Sequence, residues 1–159
     1  MSELRIAGIA KWALIVLLAV VLIMQAAGNR SSTAGFEEMA EAVRQSADLS
    51  LMTEGDNQML KRLYGLDPNE YEGARLYYPN TNMGAEELLL IRLSDSSQKE
   101  AISSAIQGRL ATQKKSFDGY GADQTAMLEN SIVRVRESFA LFVSAADPGS
   151  VEKVFLENY

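Results

Sequence analysis

Apolar residues fill thirteen consecutive positions near the start of the chain, from Trp12 to Met24. The mostly apolar stretch around them runs from Ile6 to Ala27, and 22 residues at about 1.5 Å of rise each give roughly 33 Å of helix. A helix of that length crosses the hydrocarbon core of a membrane. Because the run is apolar all round rather than along one stripe, the pattern favours a transmembrane helix over a buried helix of a globular protein.

A cleavable signal peptide is the alternative interpretation of the same run, since its apolar centre would have a similar length. Cleavage after Ala27 or Ala26 would place Gln25 or Met24 at the −3 position, where a small residue is needed. The sequence therefore favours an uncleaved signal anchor over residues 1–27, with Trp12–Ala27 embedded in the membrane.

The flanks of this run predict how the chain is oriented. Arg5 and Lys11 precede the run, and Arg30 is the nearest basic residue after it. Since positive flanks tend to stay inside, we expect a single-pass protein of the cell membrane with a cytoplasmic N-terminus and an extracytoplasmic C-terminal domain. Residues 28–35 have the composition of a flexible linker, which spans at most about 28 Å and would keep the domain near the bilayer.

Beyond the linker, the pattern changes to alternating helical and strand periods over residues 36–159. Helical spacing predicts an amphipathic helix from Phe36 to about Asp48, and a second helix that starts at the N-cap Asp56 and stops at Gly65. Further helices are predicted over 98–117, over 122–130 and from Pro148 onward. Alternating residues predict four strands, at 75–78, 86–93, 132–136 and 139–145. We therefore expect an α+β domain with an antiparallel four-stranded sheet and helices packed mainly on one face.

Composition excludes several classes of function. Only Glu3, Arg5 and Lys11 precede Arg30, so the chain from Arg30 onward contains 13 of the 15 basic and 20 of the 21 acidic residues and has a net charge of −7. An acidic domain is repelled by phosphate backbones, which argues against nucleic acid as a partner. The chain has no cysteine and therefore no cysteine nucleophile or thiolate metal site, and it has no histidine, the commonest general base and metal ligand. We expect no cofactor, no metal and no enzymatic activity.

The predicted long helix carries two polar residues inside its apolar stripe. Arg109 and Gln113 project from the same side as Ile102 and Ile106. A desolvated guanidinium needs an acidic partner, and Glu87 shares a strand face with Leu89 and Ile91. We expect Glu87 and Arg109 to form a partly buried pair between sheet and helix, with Gln113 beside it. The pattern favours a structural pair, or an arginine that extends to water, over the alternative of an anion or carboxylate clamp.

A second candidate site combines tyrosine and arginine side chains on the strands. Such combinations are common on recognition surfaces, although exposed strand arginines also serve solubility alone. The predicted recognition face consists of Tyr77, Tyr78, Arg92, Arg134 and Arg136.

A series of residues spaced through the domain resembles a known family. The residues that carry the resemblance are Tyr64-Gly65-Leu66, Tyr71, Tyr77, Met83, Glu86-Glu87-Leu88, Arg109, Gln113, Phe117, Tyr120 and Gln124. Together they resemble the bacterial domain-of-unknown-function family 4358, over roughly Phe36 to Phe155. The resemblance implies a membrane-anchored or lipoprotein-like extracytoplasmic protein of Gram-positive bacteria and transfers no catalytic residue. This chain departs from lipoprotein-like members because it has no cysteine.

These observations predict a membrane-anchored extracytoplasmic module that binds an envelope or membrane protein partner and catalyses no reaction. One alternative is a carboxylate-based envelope hydrolase with Glu87 or Glu70 as acid or base, which would need two carboxylates about 5–10 Å apart. Another is a regulatory subunit whose transmembrane helix docks another membrane protein, although the run lacks a seam of small residues.

Overall fold

The computed structural model of the chain describes Ile15, Val16 and residues 35–159. The predicted signal anchor, apart from helical Ile15 and Val16, and the predicted linker, apart from Gly35, lie outside the described residues. Within the part that is described, no helix is both long and apolar enough to cross a membrane.

The domain alternates helices and strands from Phe36 to Glu157. The helices are α1 (Phe36–Ser46), α2 (Asn57–Tyr64), α3 (Lys99–Phe117), α4 (Ala122–Glu129) and α5 (Pro148–Glu157). The strands are β1 (Met52–Gly55), β2 (Gly73–Pro79), β3 (Glu87–Arg92), β4 (Ile132–Val135) and β5 (Phe139–Ser144). Short 3-10 turns occupy Pro68–Glu70 and Ser96–Gln98.

All five strands form one antiparallel sheet in the order β1-β2-β3-β5-β4. The α+β class and the antiparallel sheet are as predicted, but the predicted count of four strands is wrong. The additional strand is β1, which pairs with β2 at the sheet edge through Met52↔Pro79 to Gly55↔Leu76. It is only four residues long and Thr53 and Glu54 are exposed, so its sequence has little of the apolar alternation that identifies a strand.

Helices cover both faces of the sheet, which corrects the prediction that they pack mainly on one face. Helices α1 and α5 bury Met39, Val43 and Phe155 against Leu88, Leu90 and the odd-numbered residues of β5. Helices α2 and α3 bury Leu60, Ile102 and Ile106 against Leu89, Ile91 and Phe142. The physical reason is that β3 and β5 are apolar on both faces, so each face needs its own covering layer.

Side-chain caps fix the helix ends that position the site. Asp56 accepts a hydrogen bond from the Met59 amide at 2.8 Å, and Gly65 ends α2 with a left-handed φ of 69°. Asp95 caps the turn that leads into α3, in a capping box with Gln98. Asp147 caps α5 through the Ser150 amide at 3.2 Å. These ends confirm the predicted start and stop of α2 and the start of α5.

Candidate functional site

The most distinctive polar group in the domain is the carboxylate of Glu87, which is fully buried at the start of β3. Arg109 donates to it from Nε at 3.0 and 3.2 Å and from Nη2 at 2.6 Å. Gln113 donates from Nε2 at 2.9 Å, and the Tyr64 hydroxyl donates to Oε1. We call these four residues the Glu87 cluster. Both carboxylate oxygens are saturated by donors, which is how a buried charge is tolerated.

Three elements bring this cluster together. Alternation along β3 places Glu87 on the same face as Leu89 and Ile91, which α2 and α3 cover. Arg109 and Gln113 are one helical turn apart on α3, so their side chains lie next to each other. Tyr64 is the last residue of α2, where the turn at Gly65 ends the helix beside the sheet.

Burial and the two charges set the protonation of the cluster. Burial, together with the negative charge of Glu87, raises the pKa of Tyr64 well above its usual value of 10.0, so its hydroxyl remains a donor. Burial by itself lowers the pKa of Arg109, but hydrogen bonds and charge from Glu87 outweigh this effect and raise the pKa above its usual value. Arg109 therefore stays charged, with its side chain 15% exposed.

Two buried polar atoms near Glu87 have no hydrogen-bond partner among the described residues. One is Oε1 of Gln113, and the other is the hydroxyl oxygen of Ser144, which pairs directly opposite Glu87 on β5. Because the carboxylate is only an acceptor, it must receive the NH₂ end of the Gln113 amide, and this fixes Oε1 on the other side. Oε1 of Gln113 is thus an acceptor enclosed within the core, on a side chain that is only 4% exposed.

A cavity of about 230 Å³ opens beside the cluster, and we call it the Arg109 cavity. It lies between the end of α2, the C-terminal half of α3 and the loop that joins β2 to β3. Arg109 and Gln113 contribute to its wall, so the buried cluster and the open cavity share two side chains. The other lining residues are Arg62, Leu63, Tyr78, Pro79, Thr81, Asn82, Gly84, Ser116 and Phe117.

The structure does not assemble the predicted recognition face. Tyr77 is buried under α1, and Tyr78 points to the opposite face, where it lines the Arg109 cavity. The arginine side chains are engaged within the domain, because α5 and the C-terminus cover this side of the sheet. Arg92 bonds Glu72 at 2.6 Å, Arg134 pairs with Glu152, and Arg136 lies 4.9 Å from the centre of the Tyr159 ring.

Other carboxylates do not converge on Glu87. The backbone carbonyl of Glu70 accepts hydrogen bonds from the side chains of Ser94 and Gln98. Both of these residues precede Lys99, the first residue of α3. Arg109 is ten residues further along that helix, which is about 15 Å. Among the described residues, no group of three or more acidic side chains is arranged to hold a metal ion.

The sequence does not predict the role of three residues of this site. The spacing of Tyr64 suits the apolar side of α2 whether or not its hydroxyl is bonded, although a buried tyrosine hydroxyl needs an acceptor and Glu87 needs further donors. Arg62 and Ser116 gave no signal because each is polar and exposed on its helix. Their position around one cavity depends on how α2 and α3 pack together.

Fold and site together define a small three-layer domain that encloses a saturated Tyr-Glu-Arg-Gln cluster beside a shallow cavity. The family model described as "Domain of unknown function (DUF4358)" matches residues 45–145, and the chain belongs to this family. The matched range contains the Glu87 cluster and every residue that lines the Arg109 cavity. No curated protein and no solved structure matches the chain.

Proposed function

We propose that this chain is a single-pass, membrane-anchored binding module, which displays its domain outside the cell and binds its ligand in the Arg109 cavity without turning it over. The observation that carries the proposal is the contrast between Glu87, whose oxygens are all engaged, and the adjoining cavity. The wall of that cavity includes Arg109, whose guanidinium is held in place by Glu87. Such an arrangement supports binding because the charges are held rigidly before any ligand arrives.

The saturation of Glu87 argues against the carboxylate hydrolase. A general acid or base must reach the proton that it transfers, either directly or through one water. Glu87 is fully buried and already accepts from Tyr64, Arg109 and Gln113. Glu70, the other candidate, lies beyond the opposite end of α3, too far away to act with it.

The apolar sequence of residues 12–27 supports membrane anchoring. The predicted linker is short, so the domain would stay close to the membrane. A ligand would therefore be met within a few nanometres of the outer membrane surface, on an envelope or membrane protein partner. An attached domain gains from this because its effective concentration near surface ligands is high even when affinity is modest.

Site-specific photocrosslinking in intact cells tests the proposal. A photoreactive phenylalanine replaces Ser116, which lines the cavity, in the full chain; the matched control carries it at Ser104, an exposed serine on the same helix. We expect light to produce a discrete adduct, seen as an added mass on the intact protein, only at position 116. Absence of an adduct, or equal adducts at both positions, would contradict the proposed binding function.

A further inference from the structure

The Arg109 cavity differs in charge from the rest of this acidic domain. Its lining includes Arg62 and Arg109, and no acidic side chain of the described residues belongs to it. Glu86, two residues after the lining residue Gly84, instead accepts from the Ala85 amide at 3.0 Å and lines a different cavity. That second cavity contains Asp48, Glu86 and Asp147 and no basic side chain. Of these two cavities, only the Arg109 cavity has the positive charge that would attract a negatively charged group.

Both arginines have donors available for a ligand. Arg109 uses Nε and Nη2 to hold Glu87, which leaves Nη1 outside that pair. Arg62 donates from Nη2 to the sulfur of Met59 at 3.1 Å, a weak acceptor, and within residues 35–159 it forms no ion pair. Because Glu87 neutralises Arg109, Arg62 supplies the net positive charge of the cavity.

The size and the apolar wall of the cavity define the remainder of the ligand. Its volume of about 230 Å³ is below the range of about 300–1,000 Å³ typical of sites that enclose a whole drug-sized molecule. Leu63, Tyr78 and Phe117 provide apolar surface for a small side chain. The cavity thus suits the end of a longer molecule better than a complete one.

We propose that the Arg109 cavity binds a free carboxylate that lies next to a small apolar group, as at the C-terminus of a peptide or in an N-acyl amino acid. The carboxylate faces Arg62 and Nη1 of Arg109, and the apolar group contacts Leu63, Tyr78 and Phe117. This inference rests on the proposed binding function and names the chemical class of its ligand.

Calorimetric titration of the full-length chain in phosphatidylcholine nanodiscs tests the proposal with matched small probes. We expect N-acetylalanine to bind saturably. Inorganic phosphate, which lacks the apolar group, should bind at least about fivefold more weakly. N-acetylalaninamide, which lacks the carboxylate, should bind at least about tenfold more weakly.

Protein variants locate the binding. Arg62→Gln should weaken N-acetylalanine binding about tenfold, because it removes the charge that faces the carboxylate. Lys61→Gln is the matched control, since it removes the same charge from the neighbouring position of α2 without touching the cavity, and should stay within about twofold of the unmodified chain. Both side chains are exposed, so neither change threatens folding.

The remaining outcomes separate this inference from the function on which it rests. Equal affinity for inorganic phosphate or N-acetylalaninamide, or equal weakening by Arg62→Gln and Lys61→Gln, would overturn the ligand class. Failure of N-acetylalanine to bind while the adduct at position 116 still forms would also overturn it and leave the binding function standing. Failure of both experiments would overturn both proposals.

Discussion

Glu87 carries a negative charge into the interior of the domain, and three donors on two helices keep it there. A buried ion pair is weak evidence of net stabilisation, because desolvation offsets much of the attraction. Removal of one partner is different, since it leaves an uncompensated charge at a buried position. The cluster is therefore best understood as a device that orients Arg109 and Gln113 toward the cavity.

Substitution of Arg109 by methionine tests this dependence. We expect Arg109→Met to lower the free energy of unfolding by about 3 kcal/mol, measured by urea denaturation, because Glu87 loses its cation. The matched control Arg134→Met removes an arginine that is 46% exposed beside Glu152 and should cost no more than about 1 kcal/mol. Unchanged stability of Arg109→Met would rule out the buried pair as a structural element.

Tyr64 makes a second prediction, about alkaline pH. Its pKa is raised in the folded state by burial and by Glu87, so its contribution to stability is present below pH 10.0 and is lost as the pH rises through the higher folded value. The free energy of unfolding should fall more between pH 9 and about pH 11 in the unmodified chain than in Tyr64→Phe. Parallel curves for the two proteins would contradict the buried position of this hydroxyl.

The sequence predicted the Glu87–Arg109 contact because both residues interrupt apolar faces, and such interruptions need partners. It did not predict Tyr64 as the third donor. An amphipathic tyrosine fits an apolar stripe with or without a hydrogen bond, so its spacing carried no information about its hydroxyl. The cavity was also beyond prediction, since Arg62, Tyr78 and Ser116 come together only through tertiary packing.

Among the elements, helices with clear caps and strands with long apolar runs were predictable. Asp56, Gly65 and Asp147 mark helix ends through local backbone chemistry, which does not depend on the rest of the fold. Strand β1 was missed because an exposed edge strand of four residues carries almost no pattern. The covering of both sheet faces was missed because Arg92 made one face of β3 resemble a solvent-facing surface, whereas Arg92 packs over Phe139.

The cap of α5 gives a prediction at this scale. Asp147 accepts from both the hydroxyl and the amide of Ser150, and these bonds lower its pKa below 3.8. Its stabilising effect is therefore present above pH 3.8 and lost as the pH falls through the lower folded value. We expect Asp147→Ala to lower the thermal midpoint by a few degrees at pH 7, measured by circular dichroism. At pH 2–3 the difference in midpoint between the variant and the unmodified chain should be smaller.

The control for the cap is Asp118→Ala. Asp118 follows the C-terminal end of α3, where a negative charge is unfavourable, so its removal should leave the midpoint unchanged or slightly raised. A loss at Asp118 as large as the loss at Asp147 would contradict a specific capping effect.

At the scale of the whole molecule, the predicted orientation in the membrane determines which ligands the domain meets. The chain has no cysteine, so single cysteines can report exposure without background. In intact cells, a membrane-impermeant maleimide should label Lys153→Cys, an exposed position of α5, and should not label Ser2→Cys until the cells are opened. Labelling of Ser2→Cys alone would reverse the orientation, and release of the domain into the medium would indicate a cleaved signal peptide.

The most direct test of the account is a map of amide chemical shifts for the full-length chain in nanodiscs, titrated with N-acetylalanine. We predict that the amides of Tyr78, Gly84 and Ser116 shift together and saturate with one affinity, because all three line the cavity above the Glu87 cluster. The amides of Ala145 and Ser150, in the acidic second cavity, should not move. Shifts centred on that second cavity, or no saturable shift in the domain, would contradict the claim that the Arg109 cavity is a binding site.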